Sequence, residues 1–289
     1  MQLELVPTRV SRLDEILPGG LLKGGVYIFH GEPGTGKTIL ANQICFNHVA
    51  EQGSALYVSL LAESHTRMLQ HLRSMTFFDE AAMPRLYYVS ATPTFANEGL
   101  GGVVALVRGE LKRHRPGIMV IDGFSATRER AESQQEFQRF IHEIQSHAAA
   151  AECAVLLLTS GVDPMNDPAA TMVDGIVQLN HALYERRTQR TLQVWKYRGR
   201  DFLPGTHSFR ITEAGFVIYP RVEARTSSES ERDRYEQVRC GTGVQGLDEM
   251  LNGGLFARTT NGLYGPTGIG KTTFGLQFVS LSSAEQPGV

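Results

Sequence analysis

Within eight consecutive positions, Gly31-Glu32-Pro33-Gly34-Thr35-Gly36-Lys37-Thr38, the chain places three glycines and, at its end, a lysine followed by a hydroxyl. Glycines at Gly31, Gly34 and Gly36 let the backbone take positive φ, so that successive N–H groups curl inward at the start of a helix, where the macrodipole is positive. Such a cradle suits a phosphate chain. Lys37 is then spaced to reach the β- and γ-phosphates, and the Thr38 hydroxyl to ligate Mg²⁺, so the pattern is a P-loop that expects ATP and Mg²⁺.

A P-loop needs a second acid for the metal, at the C-terminal end of a neighbouring apolar strand. Asp122, closing Ile118-Met119-Val120-Ile121, meets the requirement. Hydrolysis also needs a group for the attacking water, usually from the strand next to the P-loop strand. Glu63, just past Tyr57 to Leu61, is the carboxylate near that strand end; its alternative is a glutamate at a helix N-terminus. Thr159 or Ser160 is placed to sense the γ-phosphate or simply to end its strand. The histidines and Cys45, Cys153 and Cys240 lack metal-ligand spacing. Trp195 reads as a core residue, and Arg186, Arg187 and Arg190 as a solvated hairpin.

The elements that position these residues follow the P-loop strand, 25–30, and the helix after Thr38. Strand signals at 55–61, 86–89, 118–122 and 155–159 alternate with helical periodicity at 64–75, 100–114 and 134–151. This predicts an α/β fold, a mostly parallel sheet with helices on both faces. Strands at 175–179, 191–196, 207–211 and 215–219 then extend it as antiparallel hairpins.

The segment Val10 to Leu21 aligns without a gap on Val244 to Leu255 at an offset of 234 positions. At that offset Gly31, Lys37 and Thr38 fall on Gly265, Lys271 and Thr272. A second phosphate loop is therefore expected at Gly265-Pro266-Thr267-Gly268-Ile269-Gly270-Lys271-Thr272, with Thr272 as the second metal hydroxyl. The expected organisation is an ATPase domain over 1–222, a polar linker over 223–239, and the first part of a second, incomplete domain over 240–289.

With 289 residues, 42% of them hydrophobic, the chain can build a large core, and a net charge of −2 offers no global field for nucleic acid or anionic lipid. No run approaches the roughly 18 apolar residues of a membrane span, and Met1 to Leu5 lacks the regions of a signal peptide. The cytoplasm is the expected compartment.

The P-loop, Leu13 to Leu21 ahead of it, the Asp122 strand, and Trp195-Lys196-Tyr197-Arg198-Gly199-Arg200 followed by Phe209-Arg210-Ile211-Thr212 together resemble the KaiC family of RecA-like ATPases. The resemblance implies a RecA-like core in tandem, hexameric rings with ATP between subunits, and slow hydrolysis. It also implies that Lys196 and Arg198, matching the family's K-x-R-G motif, touch the nucleotide of the adjacent subunit. The chain departs from the pattern at Ala62-Glu63, where the family has two glutamates, and at Phe202, where a histidine is expected. Autokinase activity is not carried over.

An oligomeric, ATP-dependent signalling or regulatory module with protein partners is the expected function. A RecA- or RadA-like DNA-repair ATPase and a nucleotide-binding module with negligible turnover are the alternatives; no basic, aromatic-rich DNA-binding element supports the former.

Overall fold

The computed structural model describes residues 4–61, 65–161, 168–225 and 238–280. The chain divides into two compact units, Met1–Thr226 and Ser227–Val289.

The first unit opens with a short antiparallel pair, β1 (Leu5–Val6) and β2 (Leu21–Leu22), flanking helix α1 (Leu13–Ile16). The alternation read from the sequence then becomes β3 (Val26–His30), α2 (Lys37–Ala50), β4 (Ala55–Ser59), α3 (His65–Leu72), β5 (Leu86–Ser90), α4 (Thr92–His114) and β6 (Ile118–Asp122). It continues through α5 (Ser125–Arg130), α6 (Gln134–Ala150), β7 (Ala154–Thr159) and α7 (Ala169–Met172). Strands β8 (Gly175–Tyr184), β9 (Arg187–Tyr197), β10 (Thr206–Thr212) and β11 (Gly215–Tyr219) complete a nine-stranded sheet ordered β11-β10-β9-β8-β3-β7-β6-β4-β5. The six strands from β8 to β5 run parallel, and β9, β10 and β11 add antiparallel hairpins.

Every residue of β3, β4, β6 and β7 is buried, because helices cover both faces. Alternate side chains feed two cores. Tyr27, Phe29 and Leu156 pack with Leu40, Ile44 and Phe46 of α2, whereas Val26, Ile28 and Leu157 pack with Val103 and Val107 of α4 and Phe140 and Ile144 of α6. Burying each large apolar side chain is worth about 1.5–3 kcal/mol, so the central strands are the most firmly anchored elements of the sheet. Helix α6 begins where the Ser133 Oγ accepts from the Glu136 N–H at 3.1 Å, and its buried Phe137, Phe140, Ile141, Ile144 and Ala148 form one apolar stripe.

Three local features differ from the sequence reading. The helix expected from Leu100 begins at Thr92 but is broken at Gly99, whose φ of 66° and ψ of −154° no helix contains. Strand β4 is not next to β3, since β7 and β6 lie between them, so Glu63 does not follow a strand adjacent to the P-loop strand; Glu63 itself lies outside the described residues. The third concerns Trp195, which is 43% exposed and donates its indole N–H to the Gln178 Oε1 at 2.6 Å rather than packing in the core.

The cause of that exposure is a β-bulge. Val177 pairs with Val194 but Ile176 pairs with Lys196, so Trp195 is an extra residue that shifts the alternation. Leu192, Val194 and Tyr197 consequently face the α2 core, and Lys196 sits with Ile176 on the opposite face.

After Pro220 the chain forms α8 (Val222–Arg225), so residues 223–225 of the stretch read as linker are helical; residues 226–237 lie outside the described residues. The second unit contains β12 (Arg239–Cys240), α9 (Gln245–Met250), β13 (Leu255–Phe256) and α10 (Lys271–Ser280). Its Asp248 Oδ1 accepts from the Thr242 N–H at 2.6 Å and the Thr242 hydroxyl at 2.7 Å; in the first unit the Asp14 Oδ1 accepts from the Thr8 N–H at 3.0 Å and the Thr8 hydroxyl at 2.7 Å. Residues 260–264, at the positions corresponding to β3, form no strand, and Tyr264 is fully exposed.

Candidate functional site

The octet 31–38 connects the buried β3 to the first turn of α2. Gly34 and Gly36 have φ of 82° and 100°, as a loop that turns its N–H groups inward requires. Gly31 does not have positive φ. Its lack of a Cβ matters for a different reason: one would fall 2.4 Å from the Leu179 carbonyl oxygen and 2.7 Å from the Thr35 Oγ1. The buried Thr35 hydroxyl donates to the Glu32 carbonyl at 2.8 Å and closes the turn, while Glu32, Pro33 and Gly34 face solvent.

Lys37 folds over the loop, donating its Nζ to the carbonyls of Gly31 and Glu32. Burial lowers its pKa from the usual lysine value, opposed by the charges of Asp122 and Glu32. Thr38 donates its hydroxyl to the Asp122 Oδ2 at 3.3 Å, which brings together the two groups expected to hold the metal although 84 residues separate them. Tyr57 donates to the same oxygen at 2.6 Å, and burial followed by the Asp122 charge raises the phenol well above its usual pKa. A hydroxyl and a carboxylate oxygen side by side at a helix N-terminus form a donor set of the hard oxygen kind that Mg²⁺ prefers. The expected outcome of Asp122→Asn is retained ATP binding with weakened Mg²⁺ dependence, measured by nucleotide titration across Mg²⁺ concentrations. Unchanged dependence would remove Asp122 from the metal site.

The strand ends beside the loop are closed. His30 Nδ1 lies 3.0 Å from the Thr159 Oγ1, and the Gly31 N–H donates to the Thr159 carbonyl at 3.1 Å. Ser160 is engaged by Ser125, its N–H donating to the Ser125 Oγ at 2.8 Å.

Sequence reasoning missed Arg190. Its guanidinium reaches from β9 back to the loop and donates to the carbonyls of Gly34 at 2.9 Å and Thr35 at 3.4 Å, so it is not simply a solvated hairpin residue. No spacing signal marks it, because its place follows from the β8–β9 register, in which Arg190 pairs with His181. A cation bonded to the loop carbonyls fixes the loop and adds to the local positive field. Arg190→Ala is expected to weaken ATP binding about fivefold, of the order of 1 kcal/mol. Isothermal titration reading the same affinity as wild type would show that the contact contributes nothing.

Lys196 and Arg198 lie elsewhere. Lys196 donates its Nζ to the Ala170 carbonyl at 2.7 Å, and Arg198 donates to the Thr171 carbonyl at 2.6 Å and lies 3.8 Å from the Asp174 carboxylate. Burial, then the neighbouring Arg198 charge, lowers the Lys196 pKa. Asp174 is bonded to Val26, the first residue of β3, so this pair sits at the end of the sheet opposite the P-loop.

In the second unit Gly268 and Gly270 have φ of 85° and 98°, and the Lys271 Nζ donates to the carbonyls of Gly265 and Pro266 at 2.8 Å each. Thr272 follows in the first turn of α10.

The family model for the KaiC ATPase matches residues 6–223 and 240–289. The chain belongs to the KaiC ATPase family. Among curated relatives, it is 26% identical over 95% of its length to the circadian clock oscillator protein KaiC of Picosynechococcus sp., covering 55% of that protein. It is 25% identical to the proteins of the same description from Acaryochloris marina and Synechococcus elongatus, over 94% and 96% of this chain and 54% and 55% of theirs. This KaiC-family chain thus spans about half the length of the curated relatives it matches. Among its described residues, no helix is long and apolar enough to cross a membrane.

Proposed function

We propose that this KaiC-family chain binds Mg²⁺ and ATP at residues 31–38 and hydrolyses the nucleotide as an oligomeric signalling or regulatory module. The observation that carries the reading is the Thr38–Asp122 hydrogen bond at the end of a glycine-turned loop over which Lys37 is folded. When bound, the metal supplies charge neutralisation across the β- and γ-phosphates. Lys37 binds phosphate oxygens, Thr38 and Asp122 hold the cation, and Glu63 accepts a proton from the attacking water. Lys196 and Arg198 act on a neighbouring subunit's nucleotide in a hexameric ring.

The domain plan is an ATPase domain over 1–222, a linker over 223–239 and the opening of a second domain over 240–289. Support for a tandem repeat comes from the matching Thr8–Asp14 and Thr242–Asp248 turns and from the two lysines folded onto equivalent carbonyls. The second loop then takes nucleotide through Gly265, Gly268, Gly270 and Lys271, with Thr272 as its metal ligand.

Light scattering with and without ATP and Mg²⁺, paired with a phosphate-release assay, tests the proposal. A hexamer assembled with nucleotide and steady phosphate release is the expected result. A permanent monomer removes the cross-subunit part, and tight ATP binding without phosphate release replaces the enzyme by a binding module.

A further inference from the structure

We propose that His65 is a positioning residue of the metal–nucleotide site, its Nε2 holding a water in the shell of the cation bound by Thr38 and Asp122; the inference rests on the metal reading above. His65 is the first residue of α3, and its ring stands edge-on to Tyr57, with centroids 6.5 Å apart and planes at 86°. The imidazole also meets Tyr88, at 5.6 Å. Each tyrosine is tied to the metal cradle. Tyr57 donates to the Asp122 Oδ2 at 2.6 Å, and Tyr88 donates at 2.9 Å to the Asn42 Oδ1, whose amide donates back to the Thr38 carbonyl at 2.8 Å.

The decisive observation is a hydrogen-bonding atom out of place. His65 Nε2 is buried and has no partner, and among the described residues no other buried side-chain nitrogen or oxygen shares that condition. Leaving such an atom unbonded is destabilising, so a histidine kept there for packing alone would be a poor choice beside phenylalanine. Burial lowers the His65 pKa, and the Asp122 charge opposes that shift. A neutral imidazole there is an acceptor that adds no charge to compete with the cation. The Asp122 Oδ2 already receives two donors, and outer-sphere acceptors of the imidazole type orient what the direct ligands hold.

The experiment compares His65→Phe, which keeps the ring and its packing on the two tyrosines, with His65→Gln, which restores a hydrogen-bonding end. Mn²⁺ is titrated into the full chain saturated with ADP, and free Mn²⁺ is read by electron paramagnetic resonance. His65→Phe is expected to weaken Mn²⁺ binding about tenfold and His65→Gln to restore most of it, with ADP affinity in the absence of metal unchanged in both. Wild-type Mn²⁺ affinity in His65→Phe, or no recovery in His65→Gln, overturns the proposal, as does a loss of metal-free ADP affinity, which marks a purely structural role. A wild-type protein that binds ADP without taking up Mn²⁺ would instead sink the metal reading itself, before any variant is compared.

Discussion

Lys37→Ala lowers ATP affinity at the first loop by at least ~10²-fold, about 3 kcal/mol, in a nucleotide titration of the full chain. The reason lies in the composition of the site. The loop offers backbone dipoles from Gly34 through Thr38, which together suit an anion but do not neutralise it. Lys37 brings a full charge from the first position of α2, and its ammonium already rests on the Gly31 and Glu32 carbonyls. Burial lowers its pKa against the opposing charges of Asp122 and Glu32, and a triphosphate would add a stronger counter-charge. Arg190 cannot take over, since its guanidinium is bound to the outer carbonyls of Gly34 and Thr35. Wild-type affinity in Lys37→Ala would mean that ATP binds elsewhere. Because the second unit holds its own lysine over an equivalent turn, the measurement is repeated with Lys271→Ala to separate the two loops.

What could be read from the sequence was local. The run 25–38 states a strand, a turn and a helix in consecutive residues, and all three are present because glycine conformations and apolar runs are decided by neighbours in the chain. The Asp122 strand was legible for the same reason, an apolar run ending in an acid, and the Thr38 contact followed. Matters that depend on register were not legible. Strand order placed β7 and β6 between β3 and β4, and no local pattern distinguishes a neighbouring strand from one three places away. Trp195 looked like core because the alternation around it was read without the bulge, and one inserted residue reverses every side chain beyond it. Tyr57, Arg190 and His65 carry no motif; their roles arise from partners 65 and 156 residues away for the first two, and from the packing of two tyrosines for the third.

That bulge bears on the second large effect, the loss of catalysis in Arg198→Ala. With Trp195 absorbed, Lys196 and Arg198 project toward α7, where they hold the Ala170, Thr171 and Met172 carbonyls. Their own phosphate loop is out of reach, because β3 separates Val26, bonded to Asp174, from Gly31, a span of about 17 Å at 3.3 Å per residue. In the ring proposed above, the phosphate they touch belongs to a neighbouring subunit. An arginine supplied in this way stabilises charge on the transferring phosphoryl group and is worth about 10³ to 10⁵ in rate. Arg198→Ala is accordingly expected to retain ATP binding and to lose phosphate release by that order. Mixing distinguishes this from damage to the fold. In rings assembled from equal amounts of Arg198→Ala and Asp122→Asn chains, an interface is intact wherever an Arg198→Ala protomer, with its own Asp122, meets a neighbour that keeps Arg198. Random assembly gives about a quarter of the interfaces this composition, and the mixture should recover roughly that share of wild-type turnover. Rings shown by fluorescence to exchange subunits, yet no more active than either variant alone, would place Arg198 outside the catalytic interface and leave its bonds to α7 as its whole role.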